Sequence, residues 1–268
     1  MESDPRKWIG SLRNSHDRLV AFVAYLDDDR LGEQSMCSEW SVAQVLSHLG
    51  SGAEIGLATL AANLAGGELP GREATSAIWD RWNVMSPGEM ASGFVASDRT
   101  LVESFEGLTA DQLDHLRVQL PFLPEPVDIA TVVAFRLDEH ALHGWDVFAA
   151  FEPSASLAPD AAELLIDRLP MKVDLVGRLT RRETRPAATV TISITTSSPA
   201  RHFQLELGDV IELRPSSPGP GADGDLTIPA EALLRLTAGR LKPGRPSAEV
   251  APTGVLTLDD LRSAFPGY

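Results

Sequence analysis

Residues 38–54 read SEWSVAQVLSHLGSGAE, and their reading decides the fold: they open a helix and set an ionisable ring beside its apolar stripe. Ser41 fits as N-cap with Gln44 three residues on, the reciprocal pattern of a capping box. Trp40 before the cap and Val45 within the helix form a hydrophobic staple. The stop is Gly66-Gly67, followed by Pro70. On a wheel turning about 100° per residue, His48 lies roughly 60° from Val45, on the flank of the stripe where a facing helix can reach it.

Upstream, Trp8, Leu12, Leu19, Phe22, Val23 and Leu26 recur at helical spacing, and the acidic run Asp27-Asp28-Asp29 ends that segment in solvent. Downstream, Met90, Phe94, Leu101 and Phe105 mark a third helix. A fourth runs from about Asp128 to Ala150 and ends before Pro153. AIWDRWNVMSP (77–87) lies between the second and third as a short aromatic connection closed by Pro87. Four amphipathic helices with medium or long connections predict a four-helix bundle over residues 1–152, an architecture that places metal and ligand sites between facing helices.

FEPSASLAP (151–159) reads as a linker, and composition changes after it. ATVTISITT (188–196) is β-branched and alternating, HFQLELGDVIELRP (202–215) supplies one or two further strands, and PAEALLRLTAGRL (229–241) returns to a helix. These predict a smaller α+β domain over residues 158–268, with PSSPGPGADGD (215–225) as a flexible loop inside it. The chain shows no internal repeat.

The 268 residues carry a formal charge of −15, with basic residues that are nearly all Arg and scattered. That balance repels phosphate backbones and anionic lipid, so neither nucleic acid nor a membrane surface is an expected partner. No apolar run approaches the ~18 residues needed to cross a bilayer. Arg6 and Lys7 precede an amphipathic pattern, not the apolar block of a signal peptide, and a cytoplasmic protein is expected. A single cysteine, Cys37, excludes an internal disulfide framework and a Cys-rich zinc site. With Ser38 and Glu39 beside it and no basic neighbour in sequence, it reads as an ordinary loop or partly buried thiol.

A second stretch, FRLDEHALHGWDVFAAFEP (135–153), bears on His48. Ile129, Val132, Val133, Val147 and Ala150 define the buried stripe of the fourth helix, and Glu139 and His143 fall within it on neighbouring turns. A carboxylate on an apolar stripe costs several kcal/mol unless it is paired or bound to a cation. Glu139 and His143 are suitable ligands for a divalent metal; with His48 they make a His-Glu-His set that leaves a coordination position open, as in catalytic sites. Arg136 and His140 also project close to the stripe, so the wheel does not choose between the two pairs. Histidines at stripe edges and Glu-His pairs at i,i+4 also occur as plain boundary groups. Asp146 reads either as an acceptor orienting an imidazole or as an exposed acid.

EWSVAQVLSHLGSGAE and DEHALHGWDVFAA resemble the two signature segments of the mycothiol-dependent maleylpyruvate isomerase family, part of the DinB-like superfamily of metal-dependent thiol transferases. That family pairs a tryptophan-led helix bearing one metal-binding His with a later Glu-x-x-x-His followed by Gly-Trp-Asp. The pattern falls here on His48, Glu139 and His143, with Gly144-Trp145-Asp146 after them. The resemblance implies a divalent ion, zinc, on those three residues, and a C-terminal domain related in shape to sterol-carrier modules. It also matches Gly239-Arg240 to a Gly-Arg dipeptide whose Arg faces the active-site cleft, which would make Arg240 a catalytic and anion-binding residue rather than a solvent-exposed helix end. Asn83, in WDRWN, sits where members have a polar residue near the pocket mouth; the plain reading is a cap or turn residue.

The implied function is mycothiol-dependent attack on a small electrophile such as maleylpyruvate. Release of the adduct gives an S-conjugate, whereas bond rotation and expulsion of the thiol give a cis–trans isomer. Two other readings fit the same ligands: a metal-dependent hydrolase that needs no thiol, and a carrier or sensor that binds metal and ligand without turnover.

Overall fold

Four long helices organise the N-terminal part of the computed structural model, which describes residues 4–179, 189–220, 223–243 and 250–267. α1 (Pro5–Val23) starts at Asp4, whose carboxylate accepts from the Arg6 N–H, and buries Trp8, Ile9, Leu12 and Leu19. The acidic run after it is exposed, as expected, and also starts a further short helix. Asp27 caps a short helix, α2 (Asp28–Leu31), and carboxylates at a helix start are favoured by the exposed N–H groups there.

α3 (Val42–Ala65) begins with both halves of the capping box: the Ser41 N–H donates to Gln44 Oε1 at 2.8 Å, and the Gln44 N–H to Ser41 Oγ at 3.3 Å. It ends at Gly66, whose φ of 62° is the left-handed C-cap conformation. Residues 77–87 depart from the expected connection, because α4 (Arg72–Asn83) is helical. Its Trp82 is buried against two glycines, and a Cβ on Gly50 would lie 2.2 Å from the indole and one on Gly93 2.9 Å away. The helix is held by this one insertion more than by a long apolar stripe.

α5 (Pro87–Glu106) and α7 (Ile129–Phe151) complete the set, with the short α6 (Ala110–His115) and the hairpin strands β1 (Arg117–Val118) and β2 (Val127–Asp128) filling the connection between them. α3 packs on α5, α5 on α1, α1 on α7 and α7 on α3, which closes a four-helix bundle. Leu19, Val42, Val45, Leu46, Leu49, Phe94 and Val147 form a buried cluster, and Trp40 packs against it.

The chain divides into two units, Met1–Ala155 and Ser156–Tyr268. In the second, α8 (Pro159–Leu165) and α9 (Leu169–Leu179) precede the strands and were not anticipated from composition. Strands β3 (Val190–Ser197), β4 (His202–Leu207), β5 (Ile211–Pro215), β6 (Gly224–Pro229) and β7 (Ala251–Pro252) lie in the order β5-β4-β3-β6-β7, with β3 and β6 parallel and the other neighbours antiparallel. Alternation explains the buried face: Ile192, Ile194, Phe203, Leu205, Leu226 and Ile228 point inward.

The stretch 215–225 is not wholly a loop. Pro215 ends β5 and Gly224-Asp225 begin β6, while residues 221 and 222 lie outside the described ones. α10 (Ala230–Thr237) and α11 (Leu258–Ala264) complete an α+β unit. Among the described residues no helix is long and apolar enough to cross a membrane.

Candidate metal centre

α3 contributes His48 and α7 contributes Glu139 and His143, and one ligand atom from each lies within 4.8 Å of the other two. His48 Nε2 is 2.9 Å from Glu139 Oε2, and His143 Nε2 is 3.7 Å from the same oxygen. Ligands bound tetrahedrally at about 2.0–2.1 Å sit about 3.3 Å apart, a spacing that these two distances bracket. The imidazoles meet edge-on with centroids 4.7 Å apart, and the Trp40 indole lies 5.0 Å from one and 5.9 Å from the other.

Asp146 is fully buried, not an exposed acid. Its Oδ2 lies 3.0 Å from His143 Nδ1, and the Cys37 thiol donates to the same oxygen at 3.5 Å. An acceptor there keeps the proton on Nδ1 and turns the Nε2 lone pair toward Glu139, the tautomer a metal ligand needs. Two imidazole nitrogens and one carboxylate oxygen, one ring already oriented, fit a divalent transition metal.

One sequence expectation is corrected here. Glu139 does not sit on a buried apolar stripe; its side chain is 49% exposed, against 37% for His48 and 12% for His143. The carboxylate stands half-exposed at the rim of the bundle, so the full desolvation cost expected for it does not arise.

The alternative pair, Arg136 and His140, is the one that faces inward, and it forms a second cluster. Asp98 of α5, fully buried, lies 2.6 Å from His16 Nδ1 of α1 and 2.9 Å from His140 Nε2 through Oδ2, and accepts from Arg136 Nη2 at 2.5 Å through Oδ1. His140 Nδ1 is 2.9 Å from Ser15 Oγ. Burial acts to raise the Asp98 carboxyl, but His140, Arg136 and His16 outweigh it and hold the group well below the usual carboxylate range. Burial lowers the His140 imidazole despite the pull of Asp98, which favours the neutral ring. His16, Asp98 and His140 also have metal-ligand types and spacing. Their carboxylate, however, is already saturated by three donors, one of them a guanidinium that repels any cation. We read this cluster as a proton-satisfied network.

A model of the mycothiol maleylpyruvate isomerase N-terminal domain matches residues 12–148. The chain belongs to the mycothiol-dependent maleylpyruvate isomerase family. Its fold is similar to the crystal structure of the mycothiol-dependent maleylpyruvate isomerase, with a TM-score of 0.68 at 15% identity over 96% of both chains, and equally to a histidine-to-alanine mutant of that enzyme. Two uncharacterized proteins from Mycobacterium tuberculosis strains, CDC 1551 / Oshkosh and ATCC 25618 / H37Rv, are each 26% identical over 177 residues, 66% of this chain and 83% of the relative.

Within this family member the remaining expected residues fall in different places. Asn83 is the exposed last residue of α4, and no hydrogen bond joins it to the three rim residues. Arg240 belongs to the second unit and is only 8% exposed, so it is not a solvent-exposed helix end; its Nη1 donates to the Ala238 carbonyl at 3.2 Å. Gly239 before it has a φ of 71°, and a Cβ there would lie 2.4 Å from the Gly267 nitrogen, so the turn that carries Arg240 requires glycine. Cys37 is a partly buried thiol, as its sequence context indicated. Sequence reasoning missed His16 and Asp98. Both had a visible signal: His16 lies between Leu12 and Leu19, and Asp98 between Phe94 and Leu101, at i+4 and i−3 on apolar stripes.

Proposed function

We propose that this chain is a metal-dependent enzyme that uses mycothiol to act on a small unsaturated carboxylate, with His48, Glu139 and His143 holding one divalent ion, zinc by the donor set. The observation that carries this reading is the convergence of the three ligand atoms within 4.8 Å, one imidazole already oriented by buried Asp146, in a chain of this family. Bound there, the cation would supply Lewis acidity that brings a nearby thiol's pKa toward neutrality.

The chain's own groups do the rest. Asp146 holds the His143 tautomer, and Trp40 walls the two imidazoles on one side. Half-exposed Glu139 leaves the cluster accessible from the bundle surface. The thiol sulfur adds to an electrophilic carbon of the substrate. Rotation about the resulting single bond and expulsion of the thiol return the isomer, whereas release of the adduct gives the S-conjugate. Arg240 is carried over from the family resemblance as a residue able to give a carboxylate charge-assisted hydrogen bonds, and Asn83 as a polar residue at the end of α4.

The test is turnover of maleylpyruvate by purified protein with and without mycothiol, alongside elemental analysis of wild type and His143→Ala. Thiol-dependent turnover that is lost together with the metal in the variant is the expected result. Turnover without thiol would replace the reading by a hydrolase, and normal metal content in His143→Ala would remove the site.

A further inference from the structure

Arg136 is immobilised with donors to spare. Its Nη2 is fully used, giving one hydrogen bond to Asp98 Oδ1 at 2.5 Å and one to the Leu49 carbonyl at 2.8 Å. Asp98 is in turn fixed by His16 and His140. Nε is sealed from solvent with no partner, and Nη1 makes no hydrogen bond to any described residue. A tenth of the side chain remains open to solvent.

The position of those donors is defined from both helices. Arg136 precedes Glu139 by three residues on α7. Its Nη1 lies 3.3 Å from where a Cβ on Gly52 would stand, and Gly52 follows His48 by four residues on α3. The guanidinium therefore lies between the same two helices as the rim cluster, one turn or about 5 Å along them, beside a residue with no side chain to fill the gap. A cation locked by a carboxylate and a carbonyl, with N–H groups left over, is a preorganised anion site: ligand binding costs no further side-chain ordering.

We propose that Arg136 binds a carboxylate of the substrate through Nη1, one helical turn from His48, Glu139 and His143, with Asp98, His16 and His140 as its positioning residues and Gly52 as the gap that admits the anion. The choice of a substrate carboxylate rests on the proposed function; the anion site itself rests only on these residues.

The test uses zinc-loaded full-length protein and titrates succinate, with uncharged succinamide as control, in wild type, Gly52→Ala and the charge-neutral pair Arg136→Gln/Asp98→Asn. Gly52→Ala puts a methyl group against Nη1 and leaves the buried charges alone. The double variant removes the guanidinium without stranding Asp98. Succinate affinity is expected to fall about tenfold or more in both, the scale of one lost charge-assisted hydrogen bond, with zinc content unchanged in Gly52→Ala. In the thiol-dependent assay KM for a carboxylate substrate should rise more than kcat falls. Absence of saturable succinate binding to wild type overturns the inference, as does unchanged affinity in the double variant. If the double variant does not fold, unchanged affinity in Gly52→Ala overturns it alone. Succinate binding that is lost in the variants of a protein lacking thiol-dependent turnover would sink the proposed function and leave the anion site standing.

Discussion

Replacing Asp98 by Asn tests whether the inner cluster is as tightly built as its distances indicate. The carboxylate is fully buried and receives His16, His140 and Arg136, whose own side chain is 10% exposed. Asn preserves shape and one acceptor, but it removes the negative charge and turns an amide donor toward groups that are themselves donors. Removing one partner of a buried ion pair costs about 3–5 kcal/mol, because the other charge stays buried and uncompensated. The oxygen that Asn retains places the expected loss near the lower figure, about 3 kcal/mol, a large share of the ~5–15 kcal/mol that holds a domain together.

Equilibrium urea unfolding followed by tryptophan fluorescence reads this directly. Trp8, Trp40, Trp79, Trp82 and Trp145, all five tryptophans, lie in the N-terminal unit, so the signal reports that unit alone. With a slope of about 1–3 kcal/mol per molar, the midpoint should fall by roughly 1–3 M. Adding Arg136→Gln to Asp98→Asn should recover part of the loss, because it removes the stranded cation. A loss below about 1 kcal/mol, or a double variant no more stable than the single one, would show that Asp98 is not the counter-charge on which the network depends.

Three further outcomes are expected. Because Asp98 is more acidic folded than unfolded, its contribution to stability is complete above the usual carboxylate range and declines as pH falls through that range toward the folded value; urea midpoints should drop below about pH 4 in wild type, and less steeply in Asp98→Asn. Asp146→Asn should weaken metal binding about 10- to 100-fold by disturbing the His143 tautomer, measured by competition with a chromophoric chelator, with the far-ultraviolet circular dichroism unchanged. Gly50→Ala, despite alanine's better helix propensity, should destabilise the N-terminal unit by about 1–3 kcal/mol because its methyl group meets the Trp82 ring; a gain in the urea midpoint would mean that the ring moves aside freely.

The bundle was legible where local chemistry and periodicity agreed. The Ser41–Gln44 capping box and the Gly66 stop are chemical signals that need no tertiary context, and α3 starts and ends where they indicate. α4 was not legible, because its stability comes from one indole set against glycines on α3 and α5, a contact visible only after folding. Strand β6 was hidden for the opposite reason. Its first residues, Gly224 and Asp225, carry turn composition and become strand because β3 lies parallel on one side while Asp225 exchanges backbone hydrogen bonds with Thr253 on the other. For the rim site, the ligand types and the i,i+4 spacing on α7 were legible and the burial was not, since exposure depends on which neighbouring helix covers each side of α7.

α7 shows what a helical wheel lacks and how the two clusters depend on each other. Arg136/His140 and Glu139/His143 are the same i,i+4 arrangement shifted by three residues, so they lie about 60° apart around the axis. Periodicity alone ranks them equally. The choice is made by polar side chains on other helices: His16 of α1 and Asp98 of α5 can satisfy only a pair turned inward, and His48 of α3 stands where only a pair at the rim can meet it. Satisfying Asp98 with both Arg136 and His140 therefore sets the rotation of α7 about its own axis. With that rotation fixed, Glu139 and His143 have a single direction in which to point. A rotated α7 would strand a buried carboxylate and separate the rim ligands in the same movement, so the inner network is the support on which the geometry of the outer site stands.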